Sequence, residues 1–185
     1  AELAAEDGVF AAEGLAHPLV PRARVVANDL TLGGPGSVLL LSGSNMSGKS
    51  TLLRAVGLAV VLARAGGPVA ARAVRLSPFE LVTSVRVVDS LAEGTSHFYA
   101  ELKRLKHVVD RADVVGPKLL YLLDEVLHGT NSRERYIGAV SVVRHLSATG
   151  ATGIVTTHDL ALARLETEVE AGRMTASQCP VLLVI

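Results

Sequence analysis

The sequence predicts an α/β domain with a mainly parallel β-sheet flanked by helices. Short apolar runs, typical of strands buried on both faces, alternate with longer stretches whose apolar residues recur every three or four positions. A glycine-rich loop also joins one of these apolar runs to a helical stretch. Strands that alternate with helices in this way favour parallel pairing.

Length, charge and cysteine content narrow the class of protein. The 185 residues suffice for one domain with its own core, so we expect residues 1–185 to form a single domain in which 1–16 are an N-terminal lead-in. Basic and acidic residues balance at 18 each, so no global charge favours DNA or an anionic membrane. The single cysteine, Cys179, excludes an internal disulfide and a cysteine-based zinc site, and it favours a cytoplasmic protein.

The first half of the chain predicts two strands and a long helix. Residues 24–32, "RVVANDLTL", alternate enough to form a strand, and 33–36, "GGPG", form a turn. Residues 37–43, "SVLLLSG", form a continuous apolar run that predicts a buried parallel strand. From Lys49 to about Ala65 the residues are apolar almost all round, which predicts a deeply buried helix.

The second half predicts short strands, two helices and two buried strands. Residues 66–90 contain turns and short strands, of which 80–88 is the clearest, and 118–126 and 150–159 are further strands, with 179–185 another candidate. Asn131 and Glu134 have the spacing of a helix N-cap. The apolar positions that predict the helices are Phe98, Leu102, Leu105 and Val109 in the first, and Ile137, Val140, Val142 or Val143, and Leu146 in the second.

The glycine-rich loop has the pattern of a phosphate-binding loop. "GSNMSGKST" matches G-x-x-x-x-G-K-S/T from Gly43 to Ser50, between a predicted strand and a predicted helix. In such loops the glycines let backbone N–H groups face phosphate oxygens, Lys49 would reach the β and γ phosphates, and Ser50 would bind Mg²⁺. The alternative, a glycine turn with an incidental lysine, does not account for the strand–loop–helix setting.

Polar residues follow two other predicted strands. Asp124 and Glu125 end the run "LLYLLDE"; in nucleoside triphosphatases an Asp in this place holds Mg²⁺, and the next carboxylate can orient or deprotonate water. His158 follows "IVTT" where ligands bind parallel sheets, which favours a role in sensing the γ-phosphate. The alternatives are that Asp124 and Glu125 are only an acidic pair on the surface, and that His158 has only a structural role.

A second stretch has the form of an anion-binding helix start. Residues 94–98, "GTSHF", place small hydroxyl residues before an amphipathic helix, where unpaired N–H groups attract negative charge. The simpler interpretation is that Thr95 or Ser96 only caps this helix.

Six strings together resemble the ATPase domain of the MutS family of DNA mismatch repair proteins, within the ABC ATPase group. They occur in the family's order and spacing between His17 and His158: "HPLV", "VVAND", "GSNMSGKSTLLR", "DSLAEGTSHFYAEL", "LLDEVLHGTNSRER" and "TTHDL". The likeness is greatest to MutS-related proteins, because mismatch-recognising MutS typically has a glycine where Ser47 stands and "GTST" where this chain has "GTNS".

The resemblance implies a P-loop NTPase fold of the ABC type and a site for ATP and Mg²⁺. Ser50 and Asp124 would bind the metal, Glu125 would activate water, and His158 would be the switch histidine. "VVAN" would lie beside the adenine through Val25 and Asn28; the family often has a stacking aromatic residue there, so we expect stacking on that side to be lost. The residues that would hold the phosphates are Gly43, Ser44, Asn45, Met46, Ser47, Gly48, Lys49, Ser50 and Thr51.

The resemblance also implies a head-to-tail homodimer with composite sites. Ser96 would face the γ-phosphate bound to the second subunit, and Gly129, Thr130 and Asn131 would cross the interface. DNA would be bound by regions of a longer protein that are absent here, since we expect this chain to be a fragment.

Four alternatives compete with a hydrolysing ATPase. The strongest is an ATP-sensing dimerisation module that does not hydrolyse. A transporter motor would carry "LSGGQ" where this chain has "GTSHF", a GTPase would carry an N-K-x-D motif, and a small-molecule kinase would carry an arginine-rich lid. We expect no direct DNA binding, because the basic face at 101–107 is modest and the net charge is zero.

Overall fold

The computed structural model describes residues 1–44, 46–85, 97–125, 132–157 and 181–184. In these ranges the chain forms two β-sheets and three α-helices. The elements in chain order are β1 (Glu2–Leu3), β2 (Val9–Leu15), β3 (Asn28–Gly33), β4 (Val38–Ser42), α1 (Lys49–Arg64), β5 (Ala73–Leu76), β6 (Glu80–Ser84), α2 (His97–Val115), β7 (Leu119–Asp124), α3 (Ser132–Ala148), β8 (Thr152–Thr157) and β9 (Val181–Val184).

The larger sheet has five parallel strands in the order β6-β7-β8-β4-β9. Its register aligns the carboxyl ends of three strands: Asp124 pairs with Thr156, and Ser42 pairs with Thr157. The predicted α/β class with a mainly parallel sheet flanked by helices is therefore confirmed, and it is consistent with a P-loop NTPase fold. The alignment brings the ends of β4, β7 and β8 to one edge, where the candidate site lies.

Helices cover both faces of the parallel sheet. On one face α1 packs against alternate strand residues, including Leu39, Leu122 and Ile154. On the other face α2 and α3 pack against the intervening residues, including Leu40 and Tyr121. Because both faces are covered, the strands are apolar without alternation, as the sequence predicted.

The smaller sheet has four strands in the order β1-β5-β2-β3. Strand β2 pairs antiparallel with β3 and β5, and β1 pairs parallel with β5. Residues 1–16, predicted only as an N-terminal lead-in, supply β1 and β2. Phe10 is fully buried in the cluster that also contains Leu53 of α1 and Ile154 of β8, so the two sheets share one core.

Two predicted elements need correction near the candidate site. The strand predicted for 24–32 begins only at Asn28, and Arg24, Val25 and Val26 instead line a cleft. Helix α1 has the predicted bounds to within a residue, but it is not buried all round. Its buried residues form one face, and its exposed positions include Thr51 and Arg54.

The later helices follow their predicted patterns except at two positions. Ile137 is 54% exposed, whereas its neighbour Ala139 is buried together with Val140, Val143 and Leu146. In α2, Leu102 is 39% exposed, and the buried stripe runs through Leu105, Val108 and Ala112. The predicted cap Asn131 lies outside the described residues. None of the helices that the structure describes has the length and apolarity needed to cross a membrane.

Candidate nucleotide site

The phosphate loop connects β4 to α1 in a conformation that depends on glycine. Gly43 and Gly48 have φ angles of 154° and 95°, in the region that other residues rarely adopt. Gly48 directly precedes α1, and because it has no side chain, no side-chain oxygen caps the first turn of the helix. The N–H groups of that turn can therefore bind an anion, which the helix dipole also favours.

Lys49 lies across the inside of the loop. Its Nζ donates to the carbonyl oxygens of Gly43 at 2.7 Å and Ser44 at 2.8 Å, and it is 3.4 Å from Ser47 Oγ. The ammonium group thus fixes the curvature of the loop and places one positive charge at its centre. Asn45, predicted to belong to the loop, lies outside the described residues, and the side chain of Met46 is fully exposed.

A hydrogen bond joins the loop to the acidic strand end. Ser50 Oγ donates to Asp124 Oδ1 at 3.0 Å, across a sequence separation of 74 residues. Ser50 lies in the first turn of α1, and Asp124 is the last residue of β7. The two residues that the sequence predicted as metal ligands are therefore adjacent in the folded chain.

Thr156 also contacts this pair, and sequence reasoning missed it. Its Oγ1 donates to Asp124 Oδ1 at 2.6 Å, and its backbone oxygen and Oγ1 accept from the Glu125 N–H at 3.2 and 3.1 Å. Glu125 has a φ angle of 54°, a left-handed conformation that is uncommon for a residue other than glycine. A threonine near a strand end carries no distinct sequence signal; only the register opposite Asp124 reveals its position.

A cleft of about 900 Å³ lies beside the loop. The connection between β2 and β3 forms its far wall, and the loop with the start of α1 forms its near wall. Val25 and Asn28, predicted to lie beside the base, both line it. The described lining residues include His17, Arg24 and Lys49 and no carboxylate, so the cleft favours an anionic ligand. They include no Phe, Tyr or Trp that could stack on a base.

The residues of the site fit a magnesium ion bound together with phosphates. Mg²⁺ prefers six oxygen ligands and usually takes one or two from protein side chains, with phosphate and water completing the shell. Ser50 and Asp124 supply two such oxygens, 3.0 Å apart. In the ranges that the structure describes, no group of three or more His, Cys, Asp or Glu side chains could hold a metal by itself.

Three groups of predicted site residues cannot be placed. His158, Ser96 and the interface segment 129–131 lie outside the described residues. Helix α2 begins at His97, directly after Ser96, and β8 ends at Thr157, directly before His158.

Comparison with known proteins decides the family. The model of MutS domain V matches residues 39–180, which include the phosphate loop, the Asp124 strand end and β8. The chain belongs to the MutS family. Its matched region is domain V.

Relatives named MutS and relatives named MutS 2 or MutS2 match this domain at similar sequence identity. The DNA mismatch repair protein MutS of Granulibacter bethesdensis is 37% identical over 89% of this chain. The DNA mismatch repair protein MutS 2 of Halobacterium salinarum is 40% identical over 82%, and the endonuclease MutS2 of Thermus thermophilus is 36% identical over 77%. These identities do not separate the MutS-related proteins from MutS itself. The chain spans 18% of the length of each of the three.

Proposed function

We propose that the chain is the ATP-binding and ATP-hydrolysing domain of a MutS-related DNA repair protein. The observation that carries the proposal is the hydrogen bond from Ser50 Oγ to Asp124 Oδ1. It joins a phosphate loop to an acidic strand end, the two parts that a magnesium-dependent nucleoside triphosphatase requires. The names of the relatives support the DNA repair context.

Each part of the site has a role in this reaction. The N–H groups of the loop and Lys49 would bind the phosphates, while the cleft lined by Val25 and Asn28 would hold the nucleoside. A bound Mg²⁺ neutralises phosphate charge, and Ser50 and Asp124 would hold it. Glu125 would orient the attacking water or accept its proton. His158 would sense the γ-phosphate.

We also propose that the active form is a head-to-tail homodimer. Each subunit would contribute Ser96 and the segment 129–131 to the nucleotide site of the other. The start of α2 at His97 supports this, because N–H groups at a helix N-terminus bind anions. DNA would be bound by parts of a longer protein beyond this chain, since the chain has no net charge.

Steady-state phosphate release from Mg·ATP tests hydrolysis. We expect the unmodified chain to turn over ATP and Glu125→Gln to bind ATP but to hydrolyse it at least about 100-fold more slowly. Glu13→Gln, an exposed change on β2, is the matched control and should leave turnover unchanged. ATP binding without turnover in the unmodified chain would instead favour the ATP-sensing dimerisation module.

Mass in solution tests the composite site. Glu125→Gln should form a dimer with ATP and a monomer without it, because slow hydrolysis retains the nucleotide that closes the interface. In a mixture of Ser96→Ala and Lys49→Ala chains, at most one of the two composite sites should be active. The dimer would be contradicted if Glu125→Gln stayed a monomer at all ATP concentrations while the unmodified chain, also a monomer, hydrolysed ATP at its full rate.

A further inference from the structure

Thr156 occupies a position in the site that no motif explains. It is the penultimate residue of β8 and has no exposed surface. A fully buried side chain cannot contact a nucleotide, a metal ion or water in the cleft directly. Any effect of Thr156 on the chemistry must therefore act through the residues to which its hydroxyl is bonded.

The hydroxyl of Thr156 is bonded to both acidic residues of the site. It donates its proton to Asp124 Oδ1 at 2.6 Å, a short distance typical of a hydrogen bond to a charged carboxylate. The same oxygen accepts the N–H of Glu125 at 3.1 Å. One side chain from β8 thus connects the metal-binding carboxylate to the backbone of the proposed catalytic carboxylate.

Asp124 depends on this bond for its orientation. Its Oδ1 accepts two hydroxyl protons, one from Ser50 on α1 and one from Thr156 on β8. Ser50 would also bind the metal, so its contact with Asp124 has to be shared with a ligand. Thr156 is enclosed, so its contact with the carboxylate does not have to be shared with a ligand.

Glu125 depends on Thr156 for its backbone conformation. Its φ angle of 54° is in a sparsely populated region, which persists only where the surroundings hold it. Both oxygens of Thr156 accept the Glu125 N–H, at 3.2 and 3.1 Å. Removing the hydroxyl leaves one of the two acceptors and loosens the turn from which the Glu125 side chain extends.

We infer that Thr156 is a positioning residue that sets Asp124 for metal binding and Glu125 for catalysis. The inference rests on the proposed ATPase function for its catalytic part. Its structural part, the restraint on Asp124 and Glu125, does not depend on hydrolysis. Buried partners that orient metal ligands typically change metal affinity or activity by about 10- to 100-fold when they are removed.

Two substitutions and one matched control separate positioning from stability. Thr156→Val removes the hydroxyl and keeps the branched shape, whereas Thr156→Ser keeps the hydroxyl. Thr152→Val is the control, because Thr152 lies on the same strand, is equally buried, and donates its hydroxyl to Gly34 O at 3.1 Å, away from the site. Thr152→Val loses one hydroxyl hydrogen bond, to Gly34 O, whereas Thr156→Val loses two, to Asp124 Oδ1 and from the Glu125 N–H.

The first readouts need no turnover. In the nucleotide-free chain, amide exchange measured by NMR should be faster at Glu125 in Thr156→Val and unchanged in Thr156→Ser and Thr152→Val. Calorimetric titration of Mg²⁺ into the ADP complex should show about 10- to 100-fold weaker binding for Thr156→Val alone. Affinity for ADP in EDTA should stay the same in all variants, because the loop and Lys49 hold the phosphates.

Turnover gives the catalytic readout. Thr156→Val should lower kcat by about 10- to 100-fold at saturating Mg²⁺ with little change in KM, and Thr156→Ser should restore it. Unchanged Glu125 exchange and unchanged Mg²⁺ affinity in Thr156→Val would overturn the inference, as would equal losses in Thr152→Val. If the unmodified chain does not hydrolyse ATP but Thr156→Val still shows faster exchange and weaker Mg²⁺ binding, the proposed function fails and the positioning role stands.

Discussion

The two sheets of this domain bury their strands in different ways. Every residue of β4 and β8, in the parallel sheet, is buried. In the smaller sheet, β3 alternates between buried and exposed residues after Asn28, and β2 shows a similar, less regular alternation. Strands β4 and β8 are therefore enclosed by helices and can present polar groups to solvent only at their ends, whereas the smaller sheet places one face on the core and one in solvent.

This difference divides the candidate site between the sheets. The ends of β4, β7 and β8 position Gly43 of the phosphate loop, Asp124 and the positioning residue Thr156. The connection between β2 and β3 contributes a wall of the cleft but none of the proposed catalytic groups. We therefore expect substitutions at the carboxyl ends of β4, β7 and β8 to alter turnover, and substitutions inside either sheet to alter stability.

The shared core predicts that the smaller sheet is not an independent unit. Phe10→Ala removes a fully buried ring from the cluster that joins β2 to α1 and β8, and it should lower the free energy of unfolding by about 3–5 kcal/mol. Urea unfolding followed by circular dichroism and by nucleotide binding should give one coincident transition. Val61→Ala, at a position on α1 that is 53% exposed, should cost far less. Two separate transitions would show that the sheets unfold independently.

Where β4, β7 and β8 end, removing the charge of Asp124 should lower turnover and leave folding unchanged. Asp124→Asn keeps an oxygen that can accept from Ser50 and Thr156 but removes the negative charge that would bind Mg²⁺. We expect turnover to fall by about 100-fold or more while the unfolding midpoint changes little. Phosphate release and urea unfolding measure the two effects, and Asp110→Asn on the exposed face of α2 is the control. Normal turnover in Asp124→Asn would show that hydrolysis does not need the charge of this carboxylate.

The same difference between sheets explains which elements the sequence predicted. The strands buried on both faces appear as unbroken apolar runs, so β4, β7 and β8 were predicted to within about two residues. Strand β2 was missed because its core-facing residues include Ala12, which differs little from its neighbour Ala11, and because Gly14 lies in an irregular part of its pairing. Burial there depends on pairing with β3 and β5, which a local pattern does not encode.

The candidate site was predictable where a motif dictates it. Lys49, Ser50 and Asp124 follow from local patterns, and the structure brings Ser50 and Asp124 into contact. Thr156 has no pattern, because its position follows from the register of β7 with β8. The strand predicted over 24–32 was wrong in its first part, 24–27, because the alternation of a few apolar residues cannot distinguish a strand from a segment that lines a cleft.

Close packing inside the parallel sheet gives the next prediction. A Cβ added to Gly153 would lie 2.1 Å from the ring of Tyr121, which is fully buried on the neighbouring strand. Gly153→Ala should therefore destabilise the chain by about 1–3 kcal/mol through overpacking. Gly33→Ala in β3 is the counterpart in the smaller sheet, where the added Cβ would make an ordinary contact of 3.9 Å with Ser37. Urea midpoints measure both, and equal midpoints would mean that Tyr121 moves without cost.

The smallest effects on stability are expected at two ion pairs, one beside each sheet. Two guanidinium hydrogen bonds of 2.7 Å from Arg111 on α2 hold the pKa of Glu80, on edge strand β6, below its ordinary value of 4.5. The pKa of Glu6, next to the smaller sheet, is also lowered, first by its own backbone N–H and then by a single 2.7 Å bond from Arg75. A carboxylate whose pKa is lower in the folded chain stabilises the fold above its unfolded pKa, and this contribution disappears as the pH falls through the folded value.

Glu80→Gln should therefore destabilise the chain at pH 6–7, and its difference from the unmodified chain should shrink as the pH falls below 4.5. Glu6→Gln should follow the same course with a smaller difference, because the Glu6 side chain is 64% exposed and that of Glu80 is 38% exposed. Urea unfolding of both variants at pH 6.5, 4.5 and 3 measures the trend. A Glu80→Gln difference that does not change with pH would mean that Arg111 stabilises the fold by packing against β6, and that the charge of Glu80 contributes little to the attachment of α2 to the edge of the parallel sheet.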